Sequence, residues 1–174
     1  MSAAIIDAYN AAADLYDHPV NSYWSRFSDR TLTLLAPRQG ARVLDVGCGT
    51  GAFSIPAAER VGPCGRVLGV DLADRLLTRA REKAAARQLA NVTFKCSDLM
   101  LLETAEPFDA VVSVFSLFFV ADMTAATQHL WRLVRPGGTL AITIWSFFCS
   151  TDAPIPAKLP ERKLWLLRYS ASVR

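Results

Sequence analysis

Histidine occurs only twice in the 174 residues, at His18 and His129, and cysteine four times, at Cys48, Cys64, Cys96 and Cys149. The cysteines form no Cys-x-x-Cys pair, so neither a zinc site nor a disulfide framework is expected, and the thiols read as reduced and structural. A Gly-Lys-Ser/Thr phosphate loop is missing as well. After Gly51 the chain continues Ala52, Phe53, Ser54 with no lysine to reach a phosphate, which removes nucleoside triphosphate hydrolysis. The largest apolar stretches, Ala110 to Ala121 and Thr139 to Phe148, fall short of the roughly 18 to 20 residues that cross a bilayer, and Ser113 and Ser116 interrupt the first. Asp7 lies in the first apolar stretch with no basic residue before it, so a secretory leader is not read and a cytoplasmic location is expected. Positive charge is scarce too. The whole net charge of +3 comes from Lys158, Arg162, Lys163, Arg168 and Arg174 against Asp152 and Glu161, leaving a neutral body. With no interleaving of basic and aromatic residues, a nucleic acid partner is not expected.

What is present is one domain's worth of chain in which strand-like and helix-like segments alternate. Residues 1–36 read as an N-terminal helical cap, with one helix over Ser2 to Asp17 and another from about Ser22 to Ala36, ended by Pro37 and Gly40. Residues 37–146 read as an α/β core with strands at Ala41–Gly47, Gly65–Asp71, Asn91–Asp98, Phe108–Ser116 and Gly138–Trp145. Between them, helices are expected at about Thr50–Val61, Ala73–Leu89 and Ala121–Val134, the second being the clearest, with Leu76, Leu77, Ala80 and Ala84 on one face. Pro56 should sit in the first turn of its helix or kink it. The pattern predicts a doubly wound, mostly parallel sheet. Residues 147–174 form a basic, proline-rich tail; its last piece, Arg162 to Arg174, fits an alternating strand about as well as a helix, and Pro160 with Glu161 as a first turn tips the reading to helix.

In an open parallel sheet, ligands bind beyond the carboxyl ends of the strands. The distinctive residues of this chain lie at those ends: Asp45 followed by Gly47, Gly49 and Gly51 after the first strand, Asp71 closing the second, Asp98 past the third and Phe115 past the fourth. Glycines where a strand turns into a helix let a ligand lie against bare backbone. Asp71, roughly 20 residues further on, is placed to accept the hydroxyls of a ribose. Gly47-x-Gly49-x-x-Ala52 also satisfies the dinucleotide fingerprint, so these features predict an adenosine-type ligand and leave open an NAD-dependent oxidoreductase.

Five ordered blocks then carry a resemblance: "VLDVGCGTG", "LGVDLA" (Leu68 to Ala73), "CSDLM" (Cys96 to Met100), "FDAVVSVFSLFFV" (Phe108 to Val120) and "WRLVRPGGTLAIT" (Trp131 to Thr143). In order and spacing this set resembles the class I S-adenosylmethionine-dependent methyltransferases. "YDHPVNSYW" (Tyr16 to Trp24) is similar to the entry segment of the small-molecule enzymes of the ubiquinone and menaquinone type. The resemblance implies S-adenosyl-L-methionine as cofactor. It would place Asp45 and the backbone of Gly47, Gly49 and Gly51 at the methionine end and Asp71 on the ribose. Leu72 would cover one adenine face, Asp98 and the Leu99 amide would meet the adenine edge, and Phe115 would line the methionine side. A sulfonium cation suits carboxylates, whereas two phosphates beside Asp45 would repel it, which favours the methyl donor over a dinucleotide. Tyr9, Tyr16, His18, Trp24 and Phe118 are candidates for the acceptor pocket, and an apolar wall at "VFSLFFV" implies a small, apolar acceptor with no general base named.

The family normally finishes with a strand hairpin. Only 29 residues follow Trp145, prolines crowd them, and no such hairpin is read. The expectation is therefore a shortened chain whose fifth strand stands at an edge, open to self-association. A non-catalytic cofactor binder is the alternative that this raises.

Overall fold

The computed structural model describes residues 2–145 and 163–169. Helix α1 (Ala3–Ala11) opens the chain, and α2 (Tyr23–Leu35) buries Ser28, Thr31 and Leu32 at helical spacing. It ends where Ala36 turns left-handed at φ 43° just before Pro37. The α/β units follow as β1 (Arg42–Val46), α3 (Ser54–Val61), β2 (Arg66–Asp71), α4 (Asp74–Ala86) and β3 (Val92–Cys96). After them come β4 (Phe108–Val114), α5 (Met123–Arg132), β5 (Val134–Trp145) and β6 (Lys163–Tyr169).

The sheet has the order β3-β2-β1-β4-β5-β6, and all five pairings are parallel. The doubly wound reading is therefore met. One apolar cluster lies on the side of α2, α3 and α4, around Val43, Val67, Val112 and Ile55. The other lies on the side of α5, around Leu44, Val111, Leu130 and Leu140. The order reverses between β1 and β4, which puts the topological switch point at their carboxyl ends.

Several expectations need correction. The first helix stops at Ala11 rather than Asp17, because residues 12–17 bend in turns that carry Tyr16 and Asp17 down to the glycine turn. The helix after that turn starts at Ser54, four residues late. Pro56 thereby falls in its first turn, where the absent N–H has no intrahelical partner to lose. The closing segment is a strand, not a helix: β6 pairs with β5 from Thr139↔Lys163 to Trp145↔Tyr169, so the period-two pattern of the sequence prevails once a neighbouring strand offers its ladder. Consequently β5 is not an edge. It is hydrogen-bonded on both sides, and the exposed-β5 route to self-association falls away. Among the described residues the sheet edges are β3 and β6. The last residue of the proposed core, 146, and the rest of the proposed tail, 147–162 and 170–174, lie outside the described residues.

Candidate active site

The glycine turn leaves β1 with Gly47 at φ 69°, Gly49 at φ 53° and Gly51 at φ 81°. Each glycine answers a different need. A Cβ on Gly47 would lie 2.1 Å from the Cβ of Ser116, and one on Gly51 would press on Ile55 and Phe94 in the core at 3.1 and 3.3 Å. One on Gly49 would meet the Tyr16 ring at 3.6 Å, in ordinary van der Waals contact. The turn is tied to its neighbour strand because the Gly47 and Cys48 amides both donate to the Val70 carbonyl, at 2.8 and 3.0 Å.

Asp71 closes β2 and holds the turn from the other side. One carboxylate oxygen accepts the Gly49 amide at 2.8 Å and the other the Ala73 amide at 2.9 Å. Each oxygen retains a second acceptor site. Asp98 is placed in the same manner beyond β3, accepting the Met100 amide at 2.8 Å as cap of a short 3-10 turn over Leu99–Leu101.

Asp45 differs from the expectation of a rim carboxylate. It is 1% exposed and lies beneath the turn, where the Ser54 hydroxyl donates to it at 2.5 Å. Burial pushes its pKa up to about 7, the Ser54 hydrogen bond opposing and the nearby Asp71 charge adding to the rise. Burial likewise raises the Cys48 thiol, which keeps it protonated and unreactive.

Two narrow clefts of about 40 Å³ each meet over this turn. Gly47, Asp71 and Ser116 belong to both. One cleft continues along Leu72, Ser97, Asp98 and Leu99. The other continues among Tyr9, Tyr16, Trp24, Phe115 and Phe119. A larger cavity of about 460 Å³ opens at the opposite ends of the strands, beside Arg42, Arg66 and Glu106, away from these residues.

Of the candidates read from the sequence, the structure brings Gly47, Asp71, Leu72, Asp98 and Leu99 to the first cleft and its junction, and Tyr9, Tyr16, Trp24 and Phe115 to the second. His18 stands apart: its exposed ring accepts the Val20 amide through Nδ1 at 3.3 Å, as the cap of a 3-10 turn. Phe118 packs against the α5-side core, and its neighbour Phe119 faces the cleft instead. The 3-10 turn Leu117–Phe119 makes that exchange. Desolvation raises the phenol pKa of Tyr9 and, further, of Tyr16, so neither acts as a base near neutrality.

Sequence reasoning missed three participants. Ser116 bridges the strand tips at the junction, and Ser97 lines the first cleft. Asp17 accepts the buried Thr50 hydroxyl at 2.6 Å and the Lys83 ammonium at 2.9 Å, strapping the N-terminal segment to the glycine turn and α4. The strap is extended by ion pairs of Asp14 with Arg75 and Arg79, and by the Arg75 amide donating to Asn10 at 3.0 Å. For Ser116 and Thr50 the available signal was a hydroxyl placed inside an otherwise apolar or glycine-rich run.

A family profile described as "Methyltransferase domain" matches residues 43–138, more than half of the chain, from Val43 in β1 to Gly138 within β5. The chain belongs to the class I S-adenosylmethionine-dependent methyltransferases. Among curated members, the methyltransferase-like chain is 33% identical to nocamycin O-methyltransferase of Saccharothrix syringae, over 91% of this chain and 53% of that one. It is 31% identical to aklanonic acid methyltransferase DauC of Streptomyces sp. (strain C5), over 87% and 70%. With demethylmenaquinone methyltransferase of Listeria monocytogenes it shares 36% identity over 67% and 49%. The chain thus spans about half the length of the first and third of these relatives. In fold it resembles a methyltransferase of Aquifex aeolicus (TM-score 0.67, 23% identity, 87% of this chain and 81% of that one). It also resembles the [4+2]-cyclase SpnF (TM-score 0.61, 29% identity, 68% and 43%).

Proposed function

We propose that this methyltransferase domain binds S-adenosylmethionine across the junction of the two clefts and directs its methyl group to a small, apolar acceptor. The observation that carries the reading is the pair of clefts sharing Gly47, Asp71 and Ser116, one edged by carboxylates and the other walled by aromatics. The residues suit the group. Asp71 and Asp98 each accept backbone amides yet keep acceptor sites for hydroxyl or amino protons, and Leu72 and Leu99 offer apolar faces beside them. When bound, the cofactor supplies an activated methyl on sulfonium.

In this reading Asp71 holds the ribose, Asp98 and Leu99 the adenine edge and Leu72 its face, while bare backbone at Gly47 and Gly49 leaves room for the amino acid arm. Gly51 serves by packing, and Asp45 by supporting the turn from below. Tyr9, Tyr16, Trp24 and Phe115 exclude water and orient the acceptor, and positioning supplies most of the rate gain. Residues 1–36 act as a cap on the α/β unit 37–146. The relatives named for nocamycin, aklanonic acid and demethylmenaquinone suggest oxygenated ring compounds as acceptors to try first. Free Cys48, Cys64 and Cys96 fit a reducing, cytoplasmic setting.

Calorimetric titration with S-adenosylhomocysteine beside NADH tests the cofactor. Binding of NADH alone would restore the oxidoreductase reading. A methyl-transfer assay over quinols, phenols and amines tests the reaction. The resemblance to a cyclase gives weight to a second reading, binding without methyl transfer, which saturable binding and no methylated product would favour.

A further inference from the structure

Ser116 follows β4, one of the two strands that flank the switch point, and two hydrogen bonds converge on it. Its hydroxyl donates to the Val46 carbonyl at 2.7 Å, at the very end of β1. It lies 2.7 Å from the Ser113 hydroxyl. A serine hydroxyl has one proton, and here it goes to Val46, so Ser113 is the donor in the second contact. The result is a directed chain from Ser113 through Ser116 to Val46, crossing from β4 to β1 at the floor of both clefts.

The backbone is shaped to deliver this contact. Phe115 takes φ 53°, uncommon for an aromatic residue, and its ring packs edge-on against Trp24 and Phe27 at 5.8 and 5.1 Å. That turn drops Ser116 onto Gly47, where any Cβ would collide with it. Strain at Phe115 and the bare Gly47 are thus two sides of one contact.

Resting on the cofactor reading above, we propose that Ser116 is a positioning residue that fixes the passage between the two clefts, so that a ligand spanning both depends on it and a ligand confined to the Asp71–Asp98 cleft does not. Its action runs through Val46 and Gly47: the hydrogen bond locks the turn at the point over which the nucleoside must join its amino acid arm. It is a separate role from that of Asp71, which in this scheme holds the ribose directly.

Calorimetric titration of Ser116→Ala with S-adenosylhomocysteine and, separately, with adenosine tests this, with circular dichroism melting as a fold check. Loss of the bond should weaken S-adenosylhomocysteine about ten-fold and adenosine by less than about two-fold. Ser113→Ala, which leaves the Ser116–Val46 bond in place, should give a smaller fall of the same selectivity; it carries the test if Ser116→Ala fails to fold. Equal losses for both ligands would mean a general structural defect and overturn the proposal, as would no loss for either. A wild-type chain that binds neither ligand overturns the cofactor reading, and this proposal with it. A wild-type chain that binds both, with variants lacking selectivity, overturns this proposal alone.

Discussion

The Asp71 carboxylate and the Gly49 amide are joined by a 2.8 Å hydrogen bond, so the acid that closes β2 also braces the glycine turn 22 positions earlier. Two measurements on Asp71→Ala should therefore move together. Affinity for S-adenosylhomocysteine is expected to fall by about 1.5 to 3 kcal/mol, and unfolding free energy by about 1 to 3 kcal/mol as the Gly49 and Ala73 amides lose their acceptor. Asp71→Asn keeps one acceptor oxygen and should lose less stability. Calorimetry and urea titration check both; unchanged affinity would count against the ribose assignment.

Gly47→Ala should be among the costliest single changes in the domain. Its φ of 69° imposes backbone strain of about 1 to 3 kcal/mol, and overlap with Ser116 adds to it. Adding Ser116→Gly removes the overlap and leaves the strain, so the double variant should lose less than the two single variants summed. A urea double-mutant cycle reads this coupling. Strict additivity would show that the two residues do not press on each other.

Asp45 gives a pH signature. Its folded pKa of about 7 exceeds the unfolded value of 3.8, so between those limits the folded chain holds a proton that the unfolded chain has released. This group therefore favours the fold below pH 4, and its contribution is lost as pH rises towards 7, at up to about 1.4 kcal/mol per pH unit. Asp45→Asn keeps an oxygen for the Ser54 hydroxyl and should flatten that part of the stability profile. Urea midpoints from pH 4.5 to 7.5 give the comparison; parallel slopes for both proteins would refute it.

Each 40 Å³ cleft is far below the several hundred Å³ that enclose a small-molecule ligand, so the strapped N-terminal segment is expected to lift on entry. Asp17→Ala cuts its bonds to Thr50 and Lys83. Both association and release of S-adenosylhomocysteine should then speed up several-fold in stopped-flow fluorescence, with Trp24, parallel to Tyr16 at 6.0 Å, as the reporter and Trp24→Phe as its control. Raised salt should act in the same direction on the wild type, because the Lys83–Asp17 pair is partly exposed. Unchanged rates would mean that the segment does not gate the site.

The strands were legible because buried parallel strands are written as short apolar runs: Val43, Leu44 and Val46, or Val67, Leu68 and Val70, admit little else. Asp71 was legible from its distance to the glycines. Other features depended on contacts that no local pattern encodes. Whether Asp45 faces the rim or the interior is decided by Ser54 reaching back from α3. Phe118 and Phe119 are alike in sequence, and only the 3-10 turn selects which one faces the cleft. The positive φ of Phe115 is invisible in a residue type that rarely adopts it, so the approach of Ser116 to Gly47 was hidden as well. The final strand was ambiguous until β5 provided its register.

The pairing of β1 with β4, from Val43↔Ala110 to Val46↔Ser113, joins segments some 67 residues apart in the chain. Such distant partners close late relative to local helices and hairpins, because the loop entropy must be met before the contact returns anything. Both clefts rest on that seam. A partly folded chain, however helical, therefore has no berth to offer a ligand, and recovery of binding during refolding should track the slowest structural phase rather than the first return of helix.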